Sequence, residues 1–400
     1  MTTRIYLKQT VLAVASMLAL LPACEKLLPP VPADDDLLDG PVEGLSTEQN
    51  ALFLRGDEAF NNQVFTSATG LGPLFVANSC GSCHAGDGKG HPFSSLTRFG
   101  QTDASGNQFR HLGGPQLQHR AIPGFAPEQL PIGATSTKLT PPATTGLGFL
   151  EAVPDATLLA LADPSDADGD GISGIANWIL LPDYVIPRSS GVTEKGHHVG
   201  RFGKKAAVYD LLQQTANAYN QDMGISSIFE PFDTHSGLQT DPEVSSSTIN
   251  SVVFYLQTLK APIQRDPDAV AAGRKIFLDI RCGACHVPTL RTGHSPIAAL
   301  SNLDIHPFTD LLLHDMGPAL DDGYTEGSVG TSEWRTPPLW GLGLSKNSQG
   351  GRYFLLHDGR AGSIEEAILP HGGEATASRE GYKALSPSER QQLIQFLESI

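Results

Sequence analysis

The chain has 400 residues, 40% hydrophobic and 18% charged, with a net charge of −16 at pH 7. That length supports two cores rather than one, and the balance of apolar to charged residues excludes an intrinsically disordered chain. The acidic excess argues against nucleic acid or an anionic lipid surface as partner, while 42 glycines and 29 prolines predict modest helices joined by long ordered loops.

From the N-terminus, Arg4 and Lys8 precede the apolar run "TVLAVASMLALLPA". The run is too short to span a bilayer comfortably, so residues 1–23 are expected to be a cleaved export leader. Leu21 to Cys24 read "LPAC", which resembles the cleavage box of bacterial lipoproteins. That resemblance implies a lipid on Cys24, and Glu25 after it implies the outer membrane. The alternative is an ordinary leader with an unrelated cysteine. "LLPPVPADDDLLDGPVEG" (Leu27 to Gly44) is Pro-rich and acidic, and predicts an extended, lipid-anchored tether over residues 24–47. The expected location is the periplasm, with membrane contact through the anchor alone.

The other four of the five cysteines fall in two units, "CGSCH" from Cys80 to His84 and "CGACH" from Cys282 to His286. In an exported chain, C-x-x-C-H is the attachment signature of c-type haem. Positions i and i+3 of a helical turn share a face, so both thiols reach the vinyl groups of one porphyrin edge while the following imidazole reaches the iron. A thioredoxin-like pair does not need the histidine twice, and a zinc site made from both units would hold six candidate ligands where four suffice. Two covalent c-type haems are therefore expected, one on Cys80, Cys83 and His84, the other on Cys282, Cys285 and His286.

The surroundings repeat as well. "RGDEAF" (Arg55 to Phe60) and "AGRKIF" (Ala272 to Phe277) precede the two units, and "TPPATTGLG" (Thr140 to Gly148) and "TPPLWGLG" (Thr336 to Gly343) follow them. Helical patterns close each half, "VVFYLQTL" (Val252 to Leu259) and "LIQFLESI" (Leu393 to Ile400), the second behind Ser386 as N-cap and Pro387 in the first turn. The fold class read from this repeat is mainly α: two tandem cytochrome-c-like haem domains with long loops, 48–261 and 262–400, meeting near Ala261 and Pro262. The first half also carries an insertion, about residues 149–202, containing "DPSDADGDGISGIAN". Asp166, Asp168 and Asp170 alternate before Gly171 as in the first half of a calcium loop, with the Ile172 carbonyl and Asn177 at its seventh and twelfth positions. Calcium is expected there, against the alternative of an acidic turn without metal.

A c-type iron keeps a sixth position, and its occupant separates an electron carrier from a catalyst. Beyond the leader the methionines are Met223 and Met316, each inside "DMG", and both are candidate ligands.

"RFGKKAAVYDLLQQTANAYNQDMGISS" (Arg201 to Ser227), "DLLLHDMGPALDDG" (Asp310 to Gly323), "EWRTPPLWGLG" (Glu333 to Gly343) and "FLLHDGRAGSIEEAILPHGGEA" (Phe354 to Ala375) resemble the signatures of the di-haem oxidoreductase family. That family is itself similar to the bacterial di-haem cytochrome c peroxidases, and the resemblance runs from about Glu48 to Ile400. In those peroxidases a segment like "EEAI" is followed by the methionine that ligates the electron-accepting haem. Here the place reads "EEAILPHGG", which makes His371 the sixth ligand of the second haem, with Met316 as runner-up and a propionate contact as the other role for His371. The peroxidases also carry a Gln and a Glu at the open face of the first haem; Gln214 matches the Gln, and Asp222 the Glu at a spacing two residues shorter. Asp222 would then move the peroxide proton and Gln214 would orient it, unless Asp222 only caps a turn. Tyr219 is a rival sixth ligand at the first haem. The tryptophan that those peroxidases place between their haems has no counterpart in "GRFGKK", leaving Trp334 or Trp340 as candidate bridges. The function implied is reduction of hydrogen peroxide at the first haem, fed through the second by a small periplasmic donor of cytochrome or cupredoxin type. The alternative is a non-enzymatic di-haem electron carrier.

Overall fold

The computed structural model describes residues 38–400, so the expected leader, Cys24 and most of the tether lie outside the described residues. In chain order the helices are α1 (Thr47–Asp57), α2 (Leu147–Glu151), α3 (Asp155–Leu159), α4 (Leu211–Asn217), α5 (Ser246–Thr258), α6 (Ala271–Asp279), α7 (Ser345–Ser348), α8 (Ile364–Ile368), α9 (Thr376–Ala384) and α10 (Pro387–Ser399). The strands are β1 (Leu74–Phe75), β2 (Leu96–Phe99), β3 (Arg120–Ala121), β4 (Ser136–Leu139), β5 (Trp178–Ile179), β6 (Thr193–Glu194), β7 (His197–Val199), β8 (Leu290–Arg291), β9 (Asp304–Ile305), β10 (Leu313–Asp315) and β11 (Glu333–Arg335). They form two-stranded antiparallel pairs, β1 with β3, β2 with β4, β8 with β9 and β10 with β11, and one three-stranded sheet in the order β5-β7-β6.

This corrects the expectation of a mainly α chain of cytochrome-c-like domains. Of the described residues 31% are helical and 11% lie in strands, a mixed α and β architecture. Glycine and proline cut helices short, and the insertion spends its length on the β5-β7-β6 sheet and irregular turns instead of helix. Leu38–Ile400 pack as one compact unit.

Each half is nevertheless built on the same helix crossing. Ser46 Oγ accepts from Gln49 N at 3.2 Å while Gln49 Oε1 accepts from Ser46 N at 2.9 Å, a capping box that starts α1. Ser386 and Glu389 do the same for α10, with Pro387 in its first turn. α1 crosses α5 at Gly56, where a Cβ would stand 2.1 Å from the Ser251 carbonyl oxygen; α6 crosses α10 at Gly273, where it would stand 2.1 Å from that of Gln392. A side chain at either crossing would force the backbones apart. Gly148 and Gly343 repeat the device, 1.8 Å from the Gln257 oxygen and 1.9 Å from the Glu398 oxygen.

The apolar side chains follow the same plan. Phe53, Phe60, Tyr219, Tyr255 and Leu256 gather around α1 and α5, and Phe277, Phe308, Leu393 and Phe396 around α6 and α10. The rings of Phe277, Phe308 and Phe396 meet edge to face, with centroids 5.4, 5.7 and 5.9 Å apart. Burying each such ring contributes roughly 1.5–3 kcal/mol, so these clusters hold the segments that carry the two cysteine units.

Candidate functional site

The first unit hangs on a short approach segment. Val76 N and Ala77 N donate to the Asp222 carbonyl at 2.6 and 3.0 Å, and the chain then turns so that Cys83 N and His84 N both donate to Cys80 O at 3.0 Å. That turn puts both thiols on one side of the imidazole. His84 Nδ1 donates to the Pro142 carbonyl at 3.0 Å, within the "TPPATTGLG" segment, which leaves the Nε2 lone pair free. The second unit repeats the arrangement: His286 N donates to Cys282 O at 3.0 Å, and His286 Nδ1 donates to Phe308 O at 3.1 Å.

Among the described residues, the four cysteines of the two units form no disulfide. Burial pushes Cys80 and Cys282 up to about 12 and Cys83 to about 11, and raises Cys285 as well. Thiols held this high are poor thiolates, which argues against a thioredoxin-like pair. Burial also lowers His84 and His286 to about 4, so each imidazole is neutral, the form that ligates a metal. Among the described residues no cysteine and histidine side chains converge on a shared zinc-like site. A reduced thiol pair, an adjacent neutral imidazole and an Nδ1 anchor fit c-type haem at both units.

His371 follows α8 and donates from Nδ1 to the Ala367 carbonyl at 2.8 Å. Burial lowers its pKa, and its charge in turn helps to lower that of His286. Met316 packs against the cluster of Leu139, Leu320 and Trp334. Met223 is buried in the first core.

Asp222 ends a π-helical turn, Ala218–Asp222, that extends α4. Its carboxylate accepts from the Gln116 amide. Arg98 Nη1 stands behind, donating to Gln116 Oε1 at 3.2 Å and to Gln221 Oε1 at 2.6 Å, while Arg98 Nε donates to Glu326 at 2.8 Å. Burial raises Asp222 to about 6 against the opposing pull of Gln116 and Arg98, and the charge of Asp222 is felt by both Cys80 and Cys83. Gln214 is half-buried on α4, and its amide has no hydrogen-bond partner among the described residues. The amide that holds Asp222 is therefore that of Gln116, which no local motif announces, because the bridge between Arg98 and Gln116 forms only in the folded chain. Tyr219 is 1% exposed with no partner for its hydroxyl, and burial, then the nearby Cys80, raises its pKa.

The insertion departs from the expected calcium loop. Asp166 and Asp168 keep their place, but their companion is Asp163, the three carboxylates lying within 4.8 Å of one another. The Asp170 carboxylate pairs instead with Arg281 and accepts from Ile172 N at 2.9 Å. Asn177 is fully buried and donates to the Lys205 and Glu326 carbonyls at 2.8 and 3.0 Å. Buried carbonyls need donors, so Asn177 serves as a structural contact, while the exposed Asp170 is engaged by Arg281. Ser173 donates from N and Oγ to Glu374 at 3.1 and 2.6 Å, and Glu374 accepts from His314 Nδ1 at 2.6 Å. The other nitrogen of His314 meets Asp310 at 2.8 Å, and Nδ1 lies 3.6 Å from Cys285 Sγ.

The candidate tryptophans separate. Trp334 stacks on His357 with centroids 3.9 Å apart and planes 7° off parallel, under Lys205 Nζ at 3.7 Å, and the His357 carbonyl accepts from Thr140 N at 2.8 Å. Trp340 packs by Gly146 and Ala261.

Comparison with known proteins adds the following. A family model described as "Di-haem oxidoreductase, putative peroxidase" matches residues 136–400, a span that includes Cys282–His286 and His371 but not Cys80–His84. No curated protein matches the chain. A solved structure of hydrazine synthase from Kuenenia stuttgartiensis, pressurised with xenon, aligns over 94% of this chain and 95% of that chain at 14% identity, with a TM-score of 0.39.

Proposed function

Because the chain belongs to the di-haem oxidoreductase family, we propose that it reduces hydrogen peroxide to water with electrons from a small soluble donor of cytochrome or cupredoxin type. On this reading the chain is exported to the periplasm and anchored through Cys24 to the outer membrane. Cys80, Cys83 and His84 would hold one haem, and Cys282, Cys285 and His286 the other, with His371 as a further ligand of the latter. Haem bound at these units would supply one-electron iron chemistry, and two of them match a two-electron substrate to a one-electron donor.

The observation that carries the proposal is a half-buried carboxylate beside the first thiol pair. Asp222, raised to about 6 by burial and held by Gln116, is the base at neutral pH and lies within the field of Cys80 and Cys83. Its Oδ atoms take the proton from one peroxide oxygen and return it to the departing one. Gln116 fixes the carboxylate, and Arg98 fixes Gln116. The reduction consumes two electrons and two protons per peroxide and yields two waters.

Tyr219 favours a second reading. Its unpartnered buried hydroxyl near Cys80 is suited to occupy the sixth position of the first haem, which would make the protein an electron carrier. Spectra of the half-reduced protein, made in a host competent for cytochrome maturation, separate the two. A high-spin haem together with turnover of peroxide by a reduced donor supports the enzyme. Two low-spin haems in every redox state, without turnover, overturn it.

A further inference from the structure

Three cations gather where the two halves meet, with too few anions to match them. Lys89 follows His84 in the first half, and its Nζ reaches the Leu356 carbonyl of the second half at 3.5 Å. Lys204 accepts at its own carbonyl from Arg335 N at 3.0 Å, and Arg335 Nε donates to Gly203 O at 2.8 Å. The side chains of all three are half-buried. Their charges oppose one another: burial, then Lys89 and Arg335, hold Lys204 well below its ordinary value, and burial lowers Lys89 to about 8 and Arg335 to about 10.

The Lys204 ammonium has neither hydrogen bond nor ion pair among the described residues, and its charge reaches His84. The carboxylate whose field reaches both lysines is Asp358, and it is already engaged by Arg360 at 2.6 Å. Arg335 has Asp310 as its opposing charge, and Asp310 is bonded to His314 at 2.8 Å. A cation withdrawn from water without a partner is costly. A cluster of them beside a haem-binding imidazole fits a site for an anion, and the anions that haem itself brings are its two propionates.

We propose that Lys89, Lys204 and Arg335 form a carboxylate seat at the seam between the halves, and that the propionates of the haem attached at Cys80, Cys83 and His84 occupy it. The seat rests on the haem reading above, and it adds a ligand contact that ties the first haem to residues of both halves. A free small anion is the other source of the same chemistry. Positive charge at the seat stabilises the reduced, more negative haem, so losing one cation lowers its potential.

The test is a redox titration of the purified di-haem protein, followed by visible absorbance, with resonance Raman spectra of the propionate bending region. Covalent haem is counted by mass on the same samples. In Lys204→Gln the oxidised-to-reduced ratio of one haem at fixed ambient potential is expected to rise about tenfold, which is 59 mV for a one-electron couple. The propionate band should move with it, and Lys204→Arg should restore both. Lys89→Gln should give the same direction at smaller size, and carries the test alone if Lys204→Gln does not fold. Two covalent haems with unmoved potentials and band in both glutamine variants overturn the seat and leave the haem reading standing. Wild-type potentials that follow phosphate concentration at constant ionic strength also overturn it, in favour of a free anion. A wild-type chain without covalent haem overturns both.

Discussion

Asp222 shows how far a single side chain can be read before folding and where that reading stops. Its match to the glutamate of the di-haem peroxidases implied a base, but only the folded chain bonds it to Gln116 and half-buries it. Burial raises it to about 6, so the base form appears as pH rises through that value. Peroxide kcat/KM is expected to be full above about pH 6 and to fall about tenfold per unit below it. Asp222→Asn should lower kcat by about 10²–10⁴-fold and abolish that limb. Gln116→Leu should lower kcat less and move the limb upward, because the amide bond favours the ionised form, whereas Gln214→Leu should leave both unchanged. Steady-state kinetics across pH 4–8, roughly the range that brackets a carboxylate shifted this far, check all three. At the second unit, His371→Ala should turn a low-spin haem spectrum high-spin while Met316→Leu leaves it low-spin, as absorbance of the oxidised protein would show.

The helix crossings were legible as repeated words and became intelligible as backbone contacts. "RGDEAF" and "AGRKIF" look alike because Gly56 and Gly273 occupy the same place against α5 and α10, with Phe60 and Phe277 falling into the adjoining cores. Gly56→Ala or Gly273→Ala puts a methyl group against a carbonyl and should cost at least 1–3 kcal/mol, as overpacking does. Thermal or denaturant unfolding would read it. Ser386→Ala, which removes only a cap, should cost about 1 kcal/mol. What the local patterns missed is how little of the chain between these crossings is helical. Within 178–199, short segments pair as the β5-β7-β6 sheet where helix was expected.

Across the molecule, the insertion of the first half is fastened to the second cysteine unit. Asp170 pairs with Arg281 beside Cys282, Ser173 bonds Glu374, and Ile175 bridges to Leu313. Glu374 is opposed by burial but drawn down to about 2 by His314 and Ser173; His314, which burial alone would lower, is raised to about 12 by Asp310, Cys285 and Glu374. A depressed acid contributes stability above its ordinary value of 4.5 and loses it as pH falls toward 2. A raised histidine contributes fully below 6.5 and loses it as pH climbs toward 12. The stability advantage of the wild type over Glu374→Gln should therefore be greatest between those ordinary values and shrink on both sides, as calorimetry over pH 3–9 would show for groups shifted in these directions. Ser173→Ala should loosen the insertion and speed amide exchange around Cys282 and His371.

The turns of the two cysteine units, the repeated helix crossings and the helix caps could be read in advance because each is written within one turn or a few residues, where covalent spacing alone sets geometry. The partner of Asp222, the buried post of Asn177, the pairing of Asp170 with Arg281 and the cations at the seam could not. Each joins residues far apart in the chain, and only packing, by deciding which polar groups lose water together, chooses their partners.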